Sequence, residues 1–260
     1  MILMHKLQKK KGKSKIISIT AYDALFAKLF DGNVDFILVG DSLMQSFCGE
    51  NHTNGAKMSQ MLYHTKAVCK GAPNTPILAD MPFNSYSSPK IAIKNAAKFY
   101  KQTNASAIKC EGGIEKLEII KSIINEGIAL VGHIGLLPQS ARGAGGYHIR
   151  GKSSDDAAYL LESALVIQEA GALAIVLEGI RSDVAKDISN KLAIPTIGIG
   201  SGVHCDGQIL VWSDALGFFT DFKPKFVRHF LNGAELVKSA LKSYQEAVKN
   251  GSFPNESESY

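Results

Sequence analysis

Short runs that are apolar on both faces recur along this chain, with longer stretches of helical period between them. The runs are IISIT (16–20), DFILVG (35–40), TPILAD (75–80), SAIKCE (106–111), ALVGHIG (129–135), LAIVLEG (173–179), IPTIGIG (194–200) and GQILVWSD (207–214). The stretches between them include YDALFAKLF (22–30), SQMLYHTKAV (59–68), PKIAIKNAAKFYKQ (89–102), IEKLEIIKSIINEG (114–127) and DDAAYLLESALVIQEAG (155–171), and a tail helix is predicted at about 234–249. Strands without a polar face, separated by helices, predict a parallel sheet covered on both sides. Eight such units without a compositional break predict one domain over 1–260, a (β/α)8 TIM barrel with a basic amino-terminal arm and a C-terminal helix. No helix fits between 200 and 207, which keeps an open doubly wound sheet as the alternative.

Composition agrees with that size. The 260 residues are close to the roughly 250 of a typical (β/α)8 barrel, and 45% hydrophobic with 20% charged residues supplies a large core. No apolar run is long enough to span a membrane, and MILMHKLQKKKGKSK lacks the apolar core and cleavage site of a secretory signal, so a cytoplasmic protein is expected. Cys48, Cys69, Cys110 and Cys205 are far apart, without a CxxC pair or zinc-like spacing, and read as reduced thiols. The net charge of +5 owes much to six lysines between Lys6 and Lys15, read as a solvated arm. Basic residues interleaved with aromatics along a groove are absent, which argues against nucleic acid.

Candidate chemistry sits where the strands end. An α/β barrel builds its active site from the carboxyl ends of its strands. Those ends carry Tyr22 and Asp23, Asp41 and Ser42, Asp80, Lys109 and Glu111, His133, Glu178, the GIGSG loop at 198–202, and Asp214. Asp41, Asp80 and Glu111 repel one another unless a proton or cation sits among them. Carboxylate oxygens with room for water suit Mg²⁺ better than zinc. Lys109 shares a strand face with Glu111 and is placed to neutralise a substrate carboxylate. Glu178 follows an apolar run that would raise its pKa toward that of a general base. Each of these has a plainer alternative: helix capping for the acids, pairing with Arg181 for Glu178, a buried hydrogen bond for His133, and tight packing instead of phosphate binding for GIGSG.

With those residues marked, the sequence resembles the ketopantoate hydroxymethyltransferase family over almost its whole length. The likeness is carried in order by TAYD (20–23), VGDSL (39–43), YHTKAV (63–68), LADMPF (78–83), AIKCEGG (107–113), GHIGLLPQS (132–140), GGYHIRGK (145–152), IPTIGIGSG (194–202), CDGQILVWSDALG (205–217) and PKFVRHF (224–230). The resemblance implies a (β/α)8 barrel assembled as a homodecamer. It also implies an enzyme of pantothenate biosynthesis that adds the one-carbon unit of 5,10-methylenetetrahydrofolate to 3-methyl-2-oxobutanoate through a metal-stabilised enolate. Asp41 and Asp80 match Mg²⁺ ligands, with Glu111 near the ion directly or through water. Ser42, Asp80 and Lys109 match substrate-binding positions, Asp41 and His133 are grouped with them, and Glu178 matches the proton acceptor.

The chain departs from the family pattern in CGENHTNGAKMS (48–59), where Asn54, Gly55 and Ala56 replace an apolar-proline segment, and at Leu137, Ser201 and Ser213. A lyase or mutase barrel acting on a different 2-oxo acid is the alternative activity, but the KKCGH-type cysteine loop expected of it is absent. A phosphate-binding barrel isomerase would leave the acid cluster unexplained, and a non-catalytic barrel would bind no Mg²⁺.

Overall fold

Every apolar run predicted as a strand folds as one. The computed structural model describes residues 3–220 and 222–260, which divide into two compact units between Val211 and Trp212. In the first unit the strands are β1 (Ile16–Thr20), β2 (Phe36–Val39), β3 (Ile77–Asp80), β4 (Ala107–Glu111), β5 (Leu130–Gly135), β6 (Ala174–Glu178), β7 (Thr196–Ile199) and β8 (Gly207–Leu210). They pair in parallel in chain order and close, with Ile16 to Ile19 of β1 set against Gly207 to Leu210 of β8. That pairing makes a closed barrel and excludes the open sheet. The helices between them are α2 (Ala24–Phe30), α3 (Leu43–Ser46), α4 (Met58–Gly71), α5 (Pro89–Gln102), α6 (Leu117–Asn125), α7 (Ser154–Glu169) and α8 (Ser182–Lys191), after an initial α1 (Leu3–Lys10). As the sequence indicates, no helix separates β7 from β8.

The barrel interior changes character at one height. Leu7, Ile16, Phe36, Leu38, Leu78, Ala107, Val131, Val176, Ile197 and Ile209 belong to one buried cluster. Side chains two apart on a strand share a face, so the same faces continue upward to Asp80, to Lys109 and Glu111, to His133 and to Glu178. Register sets these polar residues side by side: Asp80 opposite Lys109, Glu111 opposite His133, and Gly135 opposite Glu178. The apolar layers hold the barrel together, and the polar layer above them is the price of a site.

The basic arm is not a solvated tail. It forms α1, whose Leu7 is 3% exposed and packs in the barrel cluster. Lys11 Nζ donates to Ser189 O at 2.6 Å and to Asp206 Oδ2 at 2.7 Å, and Asp206 Oδ2 also accepts from Thr196 N at 2.9 Å. Lys15 Nζ donates to Cys205 O at 2.6 Å, and Lys10 pairs with Asp35. These lysines tie the arm to the residue before β2, to α8 and to the β7–β8 loop, a tertiary role that a local run of lysines does not reveal.

The second unit begins where a strand was expected to continue. β8 ends at Leu210, and Trp212–Ala215 turn as α9, so Asp214 lies in a helix and not at a strand end. Phe230 N donates to Ala215 O at 2.7 Å and Gly233 N to Leu216 O at 2.9 Å, folding the loop back on α9. Gly217 has φ +66°, and a Cβ there would stand 2.4 Å from Leu231 O, so glycine is required at that turn. The tail helix is α10 (Gly233–Lys249).

Candidate active site

Five consecutive strands, β2 to β6, carry the polar residues to one rim. β2 gives way to Gly40, Asp41 and Ser42. A Cβ at Gly40 would lie 2.6 Å from Ser42 Oγ, so the absence of a side chain lets the chain fold Ser42 back over the strand end. Ser42 Oγ meets Tyr22 Oη at 2.8 Å, and Thr20 Oγ1 donates to that same Tyr22 hydroxyl at 3.2 Å. The Asp41 backbone N–H donates to Asp80 Oδ2 at 3.1 Å. Asp80 Oδ1 is 3.1 Å from Lys109 Nζ, which is in turn 3.0 Å from His133 Nδ1. His133 Nε2 faces Glu178 Oε2 at 3.3 Å, and its Nδ1 lies 3.7 Å from Glu111 Oε1. The chain Asp80–Lys109–His133–Glu178 thus crosses four strands.

These contacts decide between the alternative roles. Asp41 does not cap a helix; Asp23 does, accepting from Phe26 N at 2.9 Å and taking no part in the rim. Glu178 is not paired with Arg181, whose guanidinium binds Asp183 at 2.7 Å. His133 makes a buried polar contact on each side of its ring, and those contacts are with the ammonium and the candidate base. In the GIGSG loop, Ser201 Oγ donates to Leu177 O at 2.7 Å and accepts from Ile180 N at 3.1 Å. A Cβ at Gly202 would strike Ser182 Oγ at 2.2 Å. The loop's glycines serve close packing, the plainer of the two readings of that motif.

Gln139 and Tyr86 are rim residues that a reading of strand ends misses. Gln139 follows β5 by four residues in the turn Pro138–Ser140. Its Nε2 donates to Asp41 Oδ2 at 2.8 Å, and its backbone N donates to Glu111 Oε2 at 3.1 Å. Tyr86 Oη donates to Gln139 Oε1 at 2.5 Å and accepts from Glu111 N at 3.3 Å. The only signal in the sequence is that Gln139 lies inside GHIGLLPQS, one of the blocks of resemblance.

The electrostatics follow from crowding. Asp41, Asp80, Glu111 and Lys109 are each no more than 5% exposed, whereas the Glu178 side chain is 19% exposed toward solvent. Burial, then the neighbouring Asp80, pushes the Asp41 carboxyl up to about 7. Burial pushes Glu111 well above the usual carboxylate range and Glu178 up to about 7. Burial alone would lower the Lys109 ammonium, but Asp80, Glu111 and Asp41 hold its pKa above the ordinary value. Burial and then Lys109 keep His133 neutral, its pKa far below normal. Because an ammonium only donates, His133 Nδ1 is the acceptor and Nε2 carries the proton facing Glu178.

Four carboxylates around one ammonium leave a negative excess that a divalent cation would relieve. Among the described residues no three acids, histidines or cysteines stand ready as a metal-ligand group. Carboxylate oxygens alone would suit a hard ion that keeps several of its waters, as Mg²⁺ does. Asp41, Asp80 and Glu111 are the acids of the rim that would hold such an ion, Asp41 and Asp80 being already joined by a backbone hydrogen bond.

A family model described as ketopantoate hydroxymethyltransferase matches residues 1–256. A 3-methyl-2-oxobutanoate hydroxymethyltransferase of Helicobacter pylori (strain HPAG1) is 59% identical, covering 100% of this chain and 96% of its own. One of the same name from Aliarcobacter butzleri (strain RM4018) is 53% identical, covering 98% and 95%. The chain belongs to the ketopantoate hydroxymethyltransferase family. Among solved structures, a phosphonopyruvate hydrolase in complex with oxalate and Mg²⁺ superposes with TM-score 0.65 at 12% identity, covering 99% of this chain and 93% of that one. A 2,3-dimethylmalate lyase superposes with TM-score 0.61 at 14% identity, covering 99% and 92%. At such identities these two establish a shared fold only.

The raised carboxyls make a prediction for stability in this family member. Unfolded, Asp and Glu lose their protons near pH 4; folded, Asp41 and Glu178 keep theirs until about pH 7. The folded state therefore binds more protons between those values, and the stabilisation is lost as pH rises through 7. The urea midpoint of metal-free protein is expected to fall from pH 5 to pH 8, and to fall less in Asp41→Asn. A midpoint that rises over that interval would contradict the assignment.

Proposed function

We propose that this chain transfers the one-carbon unit of 5,10-methylenetetrahydrofolate to 3-methyl-2-oxobutanoate, giving 2-dehydropantoate for pantothenate synthesis, with Mg²⁺ at the acid cluster. The observation that carries this reading is the rim itself: three buried carboxylates and one ammonium, with a fourth acid, Glu178, the most open to solvent and so the one placed to serve as base. A bound Mg²⁺ supplies Lewis-acid polarisation of the 2-oxo group, which makes the neighbouring C3 hydrogen acidic.

The chain's own groups do the rest. Lys109 spends two N–H directions on Asp80 and His133, which leaves one for the oxo acid's carboxylate. Ser42 Oγ, held by Tyr22, is placed to bind the same end of the substrate. Glu178 removes the C3 proton, with the ring of a neutral His133 set beside its carboxylate at 3.3 Å. The C3 carbanion then bonds to the methylene carbon of the ring-opened folate iminium as its C=N pair returns to N5; water supplies the hydroxyl and a proton as the carbon–N5 bond breaks, and tetrahydrofolate leaves.

A cytoplasmic setting accords with four free thiols and with the absence, among the described residues, of any helix long and apolar enough to cross a membrane. The chain leaves Ile17, Leu25 and Leu29 of the barrel unit more than half exposed, and likewise Leu236, Val237, Leu241 and Tyr244 on α10. Exposed apolar groups of this extent favour burial between copies, so a homo-oligomer is part of the proposal, and the resemblance makes it a decamer. Sedimentation should give a multiple of 28.0 kDa; a lone chain at micromolar concentration would contradict it.

The test of the reaction is product formation followed by proton NMR with oxo acid, Mg²⁺ and the folate. Wild type should form 2-dehydropantoate only with folate present. Glu178→Gln should retain oxo-acid binding by calorimetry while the rate drops about 10²–10⁴-fold. An undiminished rate in that variant removes Glu178 as the base, and no folate-dependent product from wild type overturns the assigned reaction.

A further inference from the structure

Every polar atom of Gln139 is engaged at a place where the barrel's acids meet. The side chain is 5% exposed. Its Nε2 donates to Asp41 Oδ2 at 2.8 Å and to Met81 O at 3.0 Å. Both are acceptors, so the NH₂ end must face them, and the carbonyl end must face Tyr86, whose hydroxyl donates at 2.5 Å. The backbone N–H of the same residue donates to Glu111 Oε2 at 3.1 Å. Its carbonyl accepts from Asn54 Nδ2 at 2.7 Å. One residue thus ties together acids from β2 and β4 that are 70 positions apart, and it fastens to them the turn Thr53–Gly55, where the chain departs from its family's pattern.

We propose that Gln139 is a positioning residue for the cation: by engaging Asp41 Oδ2 and Glu111 Oε2, it commits Asp41 Oδ1 and Glu111 Oε1 to the ion and its water. Without the amide, the buried Asp41 carboxylate loses the side-chain donor that fixes its rotation in a crowded, like-charged setting, while the backbone N–H still holds Glu111. Tyr86 acts one step further back, because its hydroxyl holds the amide with the donor end toward Asp41. The same hydroxyl accepts from the Glu111 backbone N–H, while the Glu111 carboxylate itself is held by the Gln139 backbone N–H. Groups that orient metal ligands in this way are worth about 10–100-fold in metal affinity.

This inference rests on the cation site proposed above, and the experiment separates the two. Mg²⁺ binding is measured by calorimetry, without folate or turnover, for wild type, Gln139→Met, Tyr86→Phe and the double variant, with a urea midpoint for each. Methionine keeps the length of the side chain while removing its donors and acceptor. The expected result is a Kd about 10–100-fold weaker for Gln139→Met and about 3–10-fold weaker for Tyr86→Phe. The double variant should bind within about twofold of Gln139→Met, because the phenol acts through the amide. A Gln139 that merely packs the Pro138–Ser140 turn would lower the urea midpoint and leave the Kd unchanged, which overturns the proposal. Single effects that multiply in the double variant overturn it too. Should Gln139→Met fail to fold, Tyr86→Phe decides alone, and unaltered affinity in that variant counts against the inference. Wild type that binds no Mg²⁺ removes the cation site, and this inference with it.

Discussion

Carboxylates from Asp41, Asp80, Glu111 and Glu178 stand against the single ammonium of Lys109 in a barrel mouth where three of the four acids are almost fully buried. Such a group cannot all be ionised without a compensating charge. In the metal-free protein, protons make up the difference, and this is why Asp41 and Glu178 titrate near 7 and Glu111 higher than its ordinary value. A divalent cation is the other way to satisfy the same deficit. The chemistry proposed for the site needs both answers at once: an ion beside Asp41 and Asp80, and a basic carboxylate at Glu178 within reach of the substrate.

The barrel makes this tension tolerable by separating its layers. Leu78, Ala107, Val131 and Val176 fill the interior beneath the acids, and each belongs to a strand that then continues into a polar residue of the same face. The apolar layers supply the burial that folds the domain, while the polar layer spends some of it. Hydrogen bonds limit the cost: Asp80 accepts from the Asp41 backbone, Glu111 accepts from the Gln139 backbone, and a neutral His133 accepts from Lys109. Keeping His133 neutral matters, since a second cation there would pull the proton off Glu178 and weaken it as a base.

The strands were legible because buried parallel strands are apolar throughout and end abruptly in glycine or an acid, as in FILVGD and ILADM. For the same reason the ends of β3, β4, β5 and β6 yielded Asp80, Lys109, Glu111, His133 and Glu178 directly. Where local pattern and tertiary role diverge, the sequence was silent or misleading. In α1 three lysines stand among three apolar residues, so Leu7, which packs in the barrel cluster, is not singled out by the local pattern. α8, SDVAKDISNK, buries only Ala185, Ile188 and Ser189, too sparse a stripe to stand out. Gln139 lies beyond a strand end, in a turn whose proximity to Asp41 is a consequence of barrel closure. No spacing in the chain encodes it.

The most direct test of the account is the fate of the C3 hydrogen of 3-methyl-2-oxobutanoate in D₂O, followed by NMR with the wild-type protein, Mg²⁺ and no folate. If the rim activates that hydrogen as described, it exchanges for deuterium at a catalysed rate, and a chelator returns the rate to that of protein-free solution. A C3 signal that persists unchanged, or exchange that is indifferent to removal of the divalent ion, would contradict the central claim.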